Sequence, residues 1–288
     1  MWNFEGSMWW DSESFPLGIF RDVNAASCIW HTHSFIEVAV ILSGHGMHET
    51  PDADHAVSAG DIFLVAGTQP HRYHDCEHFT VANVMYDAEK LELPNRYLAL
   101  NPGFQAFFVV EPQIRARQGI LHHLRVTLRE LAQVSGQLET LEVELTQKSS
   151  GYEGAALGHL ISLLVYLSRA YQHQVSVSSP NILRMSEVLS LLESRFTEQL
   201  TVLELADVAK LSRGHFMRLF TETMGLAPME YINRLRMNKA GTLLRGTLLP
   251  ITEVAFQVGY NDSNFFTRQF KKTFQCTPYQ YRRAAGGR

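Results

Sequence analysis

The chain has 288 residues, of which 45% are hydrophobic and 19% are charged, with a net charge of −4. A chain of this size can bury two cores of ordinary domain size, and no apolar run approaches the roughly 20 residues that span a bilayer, which argues against a membrane protein. The opening MWNFEGSMWWDSESF lacks the basic and apolar regions of a signal peptide, and three cysteines do not make a disulfide scaffold. We therefore expect a cytoplasmic protein.

The charge is unevenly distributed along the chain. Of the 25 Lys and Arg residues, 13 lie at or after Thr201, together with only 6 of the 29 Asp and Glu residues. The last third therefore carries +7 and the first 200 residues carry −11. Because phosphate neutralisation supplies most non-specific affinity for nucleic acid, this asymmetry predicts that a polyanion binds the last third.

The first part of the chain has the pattern of a β-sheet. From Cys28 to about Tyr86, short apolar runs are separated by Gly, Pro and Asp, which predicts a small antiparallel barrel or sandwich. Eight of the thirteen histidines lie in this region: His31, His33, His45, His48, His55, His71, His74 and His78. That density exceeds what a core needs and indicates a polar site.

Four of these side chains form the sharpest candidate site: His31, His33, Glu37 and His71. Alternation along a strand places His31 and His33 on the same face. Their spacing resembles the two signature motifs of the cupin barrel, in which two His, a Glu and a third His converge on one metal. Imidazole and carboxylate suit Zn, Fe, Ni or Mn. The alternative is a metal-free pocket in which the same groups hydrogen-bond the hydroxyls of a small organic effector.

The sequence then changes from strand to helix. Residues 101–115, NPGFQAFFVVEPQIR, predict a flap or strand pair that closes the barrel. Thr127 and Glu130 form a capping box, and a helix follows to about Gln147 with a seven-residue leucine rhythm at Leu128, Leu131, Leu138 and Leu145. This helix either forms a coiled-coil-like contact between two copies or packs on the barrel. A second, buried helix follows from about Tyr152 to Tyr171.

The polar, Pro-containing stretch after the second helix predicts a linker at residues 176–181. Residues 1–175 are then an effector-binding and dimerisation domain, and residues 182–288 are a DNA-binding domain.

The strongest functional pattern is a helix-turn-helix at residues 250–283. A short apolar helix ends at Gly259, and Asp262 is a good N-cap for the next helix. That helix places Phe266 and Phe270 on one side and a polar stripe on another, formed by Asn264, Thr267, Arg268 and Lys271. Arg can bind a guanine edge bidentately and Asn an adenine edge, so the stripe suits a major groove. Taken alone, it could equally be a solvated face of an ordinary amphipathic helix.

A duplicate of this pattern decides between the two readings. Thr201 and Glu204 form another capping box, and Ser212 caps another recognition helix, which is the first of the two in chain order. Five residues recur 50 positions later, with one extra residue in the later turn: Phe216, Arg218, Phe220, Pro228 and Tyr231 match Phe266, Arg268, Phe270, Pro278 and Tyr281. A long helix beginning near Pro228 joins the units. Two such helices on one rigid spacer can enter successive major grooves, roughly 34 Å apart.

The two segments LADVAKLSRGHFMRLFTETMGLAPMEYINRLRMNKAGTLL and ITEVAFQVGYNDSNFFTRQFKKTFQCTPYQYR resemble the AraC/XylS family of bacterial transcription regulators. The N-terminal part resembles the cupin-like effector domain of that family. Within it, HTHSFIEVAVILSGHG, AGDIFLVAG and PGFQAFF are similar to the L-rhamnose-responsive branch. The sequence departs from the family at Gln275, where Gly is usual, which predicts a less tightly turned helix end.

The resemblance implies which residues contact DNA. Base contacts would come from Arg213, Gly214, Met217 and Arg218 in the first recognition helix, and from Ser263, Asn264, Thr267 and Arg268 in the second. Phosphate contacts, or simple solvation, would account for Lys271, Lys272, Arg282 and Arg283. Gly214 has no side chain to read a base. Either the DNA approaches the backbone closely there or the first unit reads less sequence.

The resulting expectation is an α+β protein: a β-barrel, two helices, and an all-helical DNA-binding domain. Its expected function is transcription regulation, as an activator, controlled by a sugar-like effector in the barrel. The partners are double-stranded DNA, a second copy through helix 127–147, and RNA polymerase. The alternatives are a metal-dependent cupin enzyme fused to a DNA-binding module, or an architectural DNA binder without an effector.

Overall fold

The computed structural model describes residues 2–5, 8–10, 12, 14–65, 68–88, 90–91, 93, 95–118 and 123–284. The chain divides into two compact units, Met1–Ser186 and Glu187–Arg288. All three cysteines are free thiols. Among the described helices, none has the length and apolar character needed to cross a membrane.

The first unit is built on an antiparallel sheet, as the sequence predicts. Five strands follow the order β2-β7-β4-β6-β8, β5 pairs with β4, and β1 pairs in parallel with β3. The strands are β1 (Trp2–Phe4), β2 (Leu17–Ala25), β3 (His31–His33), β4 (Ile36–Thr50), β5 (Ala53–Ser58), β6 (Asp61–Val65), β7 (Arg72–Tyr86) and β8 (Leu124–Arg125).

Two 15-residue strands, β4 and β7, form the centre of the sheet. Their register shifts between Ile41 and Ser43 and again before Met47, and such irregularities bend and twist a strand pair. Alternation then places Glu37 on the same face as Ala39 and Ile41. That face is apolar around Glu37, with a buried cluster formed by Ala39, Ile41, Val57, Phe63, Val65, Tyr73, Phe79 and Val81.

Residues 102–115 are helical, which corrects the flap or strand pair predicted at residues 101–115. They belong to α2 (Pro102–Phe104), a π-helix (Gln105–Val110) and α3 (Glu111–Gln118), which follow the short α1 (Asn95–Leu98). Asn101 caps α2 by accepting a hydrogen bond from the amide of Gly103, and Pro102 occupies its first turn. The apolar residues that suggested a strand pack instead against a helix, since the Phe107 ring lies 4.7 Å from the Tyr171 ring.

The helix α4 (Leu128–Gln147) begins with the predicted capping box between Thr127 and Glu130. Its buried face consists of Leu131, Val134, Leu138 and Leu141. This face packs within the chain, against β2 and the following helix α5 (Tyr152–Ser178). Leu128, the first residue of the predicted leucine repeat, is 79% exposed. The two central leucines of the repeat, Leu131 and Leu138, pack inside the first unit.

The predicted linker differs from the structure. Helix α5 continues to Ser178 and α6 (Pro180–Arg195) begins two residues later, so only Ser179 of residues 176–181 is irregular. A proline at the first position of a helix starts the new helix without losing a needed N–H donor. The division between units falls after Ser186, within α6.

The second unit contains the two predicted helix-turn-helix pairs. These are α7 (Val202–Val208) with α8 (Arg213–Met224), and α10 (Ile251–Gln257) with α11 (Ser263–Phe274). A single 19-residue helix, α9 (Pro228–Gly246), joins them, and α12 (Pro278–Ala284) follows. The N-caps predicted at Thr201, Ser212 and Asp262 are confirmed by their side-chain hydrogen bonds to the first turns.

The sequence repeat corresponds to a repeat of packing. Phe216 and Phe220 lie 5.5 Å apart, and Tyr231 meets Phe220 edge-on at 5.7 Å. The equivalent distances in the second pair are 5.7 Å for Phe266 and Phe270, and 5.3 Å for Phe270 and Tyr281. Each recognition helix is thus held by the same three-ring cluster.

Candidate functional site

The candidate effector site lies on the inner face of the first unit. His31 and His33 project to the same side of β3, and Glu37 follows at the start of β4. His71 forms an isolated antiparallel bridge with His31, so the end of one loop meets β3 directly. The structure therefore brings together all four residues that the sequence singled out, and each is at least 92% buried.

The four side chains are within contact distance. The His33 Nε2 atom lies 3.0 Å from a Glu37 carboxylate oxygen, and the rings of His31 and His71 are 4.1 Å apart. One ligand atom from each of His31, Glu37 and His71 lies within 4.8 Å of the others. These three residues could together hold a metal ion. His33 lies outside this group and contacts Glu37 instead.

Backbone carbonyls orient all three imidazoles. The Nδ1 atoms of His31, His33 and His71 lie 2.9, 3.0 and 3.1 Å from the carbonyl oxygens of Ile29, Phe35 and Gln69. A carbonyl can only accept, so each Nδ1 carries the proton and donates. In His31 and His71 this leaves Nε2 as an acceptor, the tautomer that binds metals and ligand hydroxyls.

The electrostatics favour an ionised Glu37 carboxylate beside a neutral His71 imidazole. Burial opposes ionisation of Glu37, but the hydrogen bond with His33 and the nearby His71 outweigh it and hold the pKa of the carboxyl below its usual value. Burial lowers the pKa of His71 to about 4. The Nε2 atom of His71 is buried and has no hydrogen-bond partner in the described part of the chain. Such a site can accept a cation or a hydroxyl proton.

A cavity of about 190 Å³ opens onto His31 and Glu37. Its aromatic lining residues are Phe4, Trp9, Phe20, Phe35 and Tyr73, and its further polar residues include Asp22, Cys28 and Asn83. The Asn83 Oδ1 atom is buried without a hydrogen-bond partner among the described residues. The cavity therefore combines flat apolar walls with several polar groups, of which the Asn83 amide oxygen is available to a ligand.

Sequence reasoning missed Asp22, Asn83 and the N-terminal aromatic residues. A sequence signal for Asn83 was present, because it is the one polar residue in the run VANVM. In the structure it lies opposite Ala39 of β4. Alternation then places it on the face of Glu37. Asp22 lies opposite Val81 on β2, a pairing that requires the sheet register and is absent from local sequence.

One further histidine lies behind the site. His48 is 1% exposed, and its ring is 5.7 Å from the His71 ring and 4.7 Å from Phe63. Burial, reinforced by the nearby His71 and Arg115, holds the pKa of His48 well below its ordinary value. His48 is therefore a neutral ring that packs against the inner wall of the site.

The candidate DNA-binding faces have nearly the same exposure pattern in both units. Phe216, Phe220, Phe266 and Phe270 are fully buried. The exposed predicted contacts are Arg213, Gly214, Arg218, Asn264, Arg268 and Lys271, whereas Met217, Ser263 and Thr267 are half-buried beside them. Each recognition helix therefore presents one polar face, on the side opposite its aromatic core.

Gly214 lies in open space. Among the described residues, a Cβ atom built at this position would have no neighbour within 4 Å. Packing against the part of the chain that the structure describes therefore does not require glycine here, and both explanations for it involve DNA.

Two expectations around the second recognition helix need correction. Arg282 is bound inside the protein, because its guanidinium donates to the carbonyls of Leu244 and Leu249 at 3.3 and 2.6 Å. Arg282 therefore stabilises the end of α9 and is not available as the predicted phosphate contact. The end of α11 is also as tight as that of α8: the amides of Gln275 and Gly225 each lie 2.9 Å from the carbonyl four residues earlier.

Comparison with known proteins agrees with this organisation. Residues 16–164 match the AraC-like ligand binding domain family, and residues 205–284 match a helix-turn-helix domain family. The transcriptional activator RhaR of Mannheimia succiniciproducens is 26% identical over 273 residues, covering 94% of this chain and 93% of that protein. RhaR of Yersinia pestis bv. Antiqua is 25% identical over 280 residues, covering 94% and 90%.

Among solved structures, the chain is similar to the DNA-binding domain of AdpA, a global transcriptional factor in complex with a target DNA. The identity is 29%, the alignment covers 35% of this chain and 91% of that one, and the TM-score is 0.34. The ligand-binding match covers more than half of the 288 residues and the helix-turn-helix match follows it. The chain therefore belongs to the AraC family, which consists of DNA-binding transcription regulators rather than enzymes.

Proposed function

We propose that this protein activates transcription when a small sugar binds in the cavity of the first unit. The observation that carries the proposal is the cavity lining. Carboxylates, imidazole and an unpaired amide oxygen suit several hydroxyl groups, and the aromatic walls suit the apolar face of a sugar ring. Relatives with similarity across almost the whole chain are named as activators, which supports the sign of regulation.

The effector is tested by thermal unfolding of the full chain with a panel of monosaccharides that includes L-rhamnose. A sugar at a hundred times its dissociation constant should stabilise the protein by about 2.7 kcal/mol. Asn83→Ala should abolish the shift, whereas Glu139→Gln, on the exposed side of α4, should leave it unchanged. If Asn83→Ala and the unmodified protein respond equally to every sugar, the cavity is not the effector site.

A divalent transition metal fits the same residues. His31, Glu37 and His71 would hold it, and two imidazoles with one carboxylate are a common ligand set for such ions. When bound, the ion would act as a Lewis acid for sugar hydroxyl oxygens. Elemental analysis of purified protein tests this: a stoichiometric metal should disappear in His71→Ala. Metal-free protein that still binds sugar would show that hydrogen bonds alone form the site.

DNA recognition is assigned to α8 and α11. Nine residues on their outward faces are proposed to contact the duplex: Arg213, Gly214, Met217, Arg218, Ser263, Asn264, Thr267, Arg268 and Lys271. The 19 residues of α9 make a rigid connection of about 28 Å, which suits successive segments of one major groove.

Effector control requires the sugar to change DNA affinity. A coupling free energy of about 1–3 kcal/mol is typical for such linkage and corresponds to about 5- to 150-fold in affinity. Titration of the full chain onto operator DNA with and without the sugar measures it. Equal affinities in the two titrations would indicate a constitutive DNA binder.

Two copies of the chain would form a homodimer through helix 127–147. Since Leu131 and Leu138 are buried inside the unit, the contact would use the outward face, where Leu128 and Val143 are 79% and 47% exposed. Sedimentation of Leu128→Glu should show a shift from dimer to monomer, whereas Leu203→Glu, also exposed, should not. As an activator bound to DNA, the protein would also contact RNA polymerase, and its place of action would be the cytoplasm.

A further inference from the structure

The second recognition helix carries an aromatic residue that does not belong to its core. Phe266 and Phe270 are fully buried, but the neighbouring Phe265 is 44% exposed. The Cζ atom of Arg268 lies over the Phe265 ring, 5.7 Å from its centre. Residues three apart share one side of a helix, and an arginine within about 6 Å of a ring makes a cation–π interaction. Phe265 therefore supports the guanidinium that faces outward from α11.

The Phe265 ring packs in turn against the ring of a buried tyrosine. The ring of Tyr260 lies 5.9 Å from it, and Tyr260 is only 5% exposed. The Tyr260 hydroxyl contacts the side chain of Asn233 on α9 at 3.4 Å, and the Cζ atom of Arg236 lies 5.6 Å from its ring. This series of contacts thus connects the buried face of α9 with the exposed face of α11.

Hydrogen bonds to the backbone fix the end of this series of contacts that lies on α9. Arg236 is 7% exposed, and its guanidinium donates to the carbonyls of Phe196 and Glu198, each at 2.6 Å. An arginine with several donors already satisfied cannot move far. Arg236 therefore fixes the α9 end of the series of contacts, and Arg268 lies at its exposed end on α11.

The first unit has a different set of residues at these positions. His215 occupies the place of Phe265, and Leu211 occupies the place of Tyr260. The two arginines that the repeat superimposes, Arg218 and Arg268, therefore stand in different surroundings.

We propose that Phe265 is a positioning residue for DNA recognition, which holds the Arg268 guanidinium ready for a base before DNA arrives. A ring covers only the flat face of a guanidinium and leaves the N–H donors at its edge free. Those edge donors bind guanine bidentately in the major groove. Holding them in place also reduces the side-chain entropy lost on binding. The inference rests on the proposed role of Arg268.

The test uses the full chain and a duplex that the unmodified protein selects from a random-sequence pool. Phe265→Leu should weaken binding about two- to fivefold, the equivalent of an exposed cation–π interaction of about 0.5–1 kcal/mol. It should also flatten the preference among the four bases at the position that Arg268→Ala affects. Phe265→Tyr keeps a ring and should retain both affinity and preference.

Combination of the two changes separates support of Arg268 from direct contact with DNA. If Phe265 acts through Arg268, adding Phe265→Leu to Arg268→Ala should change affinity by less than about 1.5-fold. A full two- to fivefold loss in that background would overturn the inference, because the ring would then touch DNA itself. So would an unchanged base preference in Phe265→Leu.

Failure of the inference can be distinguished from failure of the proposed function. If Arg268→Ala binds the selected duplex as tightly as the unmodified protein, the assignment of Arg268 falls and the inference falls with it. If Arg268→Ala weakens binding and Phe265→Leu does not, only the inference falls. Thermal unfolding of each variant serves as a control, and Phe265→Met provides a second ring-free side chain should the leucine variant fold poorly.

Discussion

The two helix-turn-helix units share one framework. The turn before each recognition helix contains the same backbone hydrogen bond. The Leu211 amide donates to the Ala206 carbonyl in the first unit, and the Tyr260 amide donates to the Ala255 carbonyl in the second, each at 3.0 Å. The same three-ring cluster packs behind each recognition helix. The predicted extra residue in the second turn is Asn261, which leaves both hydrogen bonds intact.

The residues placed on this framework differ between the units. Where α11 presents Asn264, Phe265 and Lys271, α8 presents Gly214, His215 and Thr221. The left-handed positions are also exchanged: the first unit has Lys210 in the turn and Gly225 at the helix end, and the second has Gly259 and Gln275. Buried rings and caps thus set the geometry of both units, while the residues of the outward face can differ.

The largest expected effect concerns the shared framework. Phe216→Ala and Phe266→Ala should each reduce the free energy of unfolding by about 3–5 kcal/mol, because each removes a fully buried ring and leaves a cavity. Urea unfolding of the full chain measures both. Tyr279→Ala, at a 60% exposed ring, is the control and should cost less than about 0.5 kcal/mol. If the two phenylalanine variants lost clearly different amounts of unfolding free energy, the two repeated clusters would not contribute equally to stability.

The next effect concerns the reading faces. Arg268→Ala should weaken binding to the selected duplex by about 1–3 kcal/mol, and Arg218→Ala by about 1 kcal/mol or less, since Gly214 and Thr221 offer α8 fewer contacts around its arginine. Equilibrium binding at fixed salt measures both. Arg245→Ala is the control, because Arg245 is engaged with the Tyr281 side chain. Equal losses at Arg218 and Arg268 would remove the asymmetry between the units.

The exchanged left-handed positions give a third test. Gly259→Ala should cost about 1–2 kcal/mol for its positive φ, and more because a Cβ atom would lie 2.5 Å from the Thr197 carbonyl oxygen. The reciprocal changes Lys210→Gly, in the turn of the first unit, and Gln275→Gly, at the helix end of the second, relieve the same kind of strain and should stabilise by about 0.5 kcal/mol each. If Gly259→Ala unfolds at the same urea concentration as the unmodified chain, the turn tolerates a side chain.

The sequence predicted the second unit more completely than the first because its signals are local. Caps at Ser212 and Asp262, the break at Gly259 and the repeat of Phe and Tyr all act within a few residues. Residues 101–115 show the opposite case. Their apolar, Pro-bounded run suits either a strand or a buried helix, and packing of Phe107 against Tyr171, 64 positions away, decides between them.

The candidate effector site was predicted in part for the same reason. His31, His33 and Glu37 follow one another closely, so alternation and spacing are enough to group them. Asp22 reaches the cavity through strand register between β2 and β7, and Trp9 reaches it through chain folding outside any strand. Arg282 shows a limit of charge as a signal, since a basic residue near a reading helix proved to bind backbone carbonyls.

The two N-caps should differ in a smaller way. The Asp262 carboxylate accepts hydrogen bonds from the amides of Asn264 and Phe265 at 2.7 and 3.1 Å, whereas Ser212 accepts one from His215 at 3.4 Å. Asp262→Ala should therefore cost about 1–2 kcal/mol of stability and Ser212→Ala about 0.5–1 kcal/mol. Asp262→Asn, which keeps an acceptor, is the matched control. A larger loss at Ser212 would contradict the ranking read from these distances.

The smallest effect separates the two explanations for Gly214. A methyl group at this helical position meets none of the described residues within 4 Å, so Gly214→Ala should stabilise the protein by up to about 1 kcal/mol. We expect affinity for the selected duplex to change less than twofold, because α8 simply reads fewer bases there than α11 does through Asn264. A loss of tenfold or more, in a protein that is more stable, would instead place the DNA against the α8 backbone. Gly136→Ala, in an equally open helical position of α4, controls for the stability gain without touching DNA.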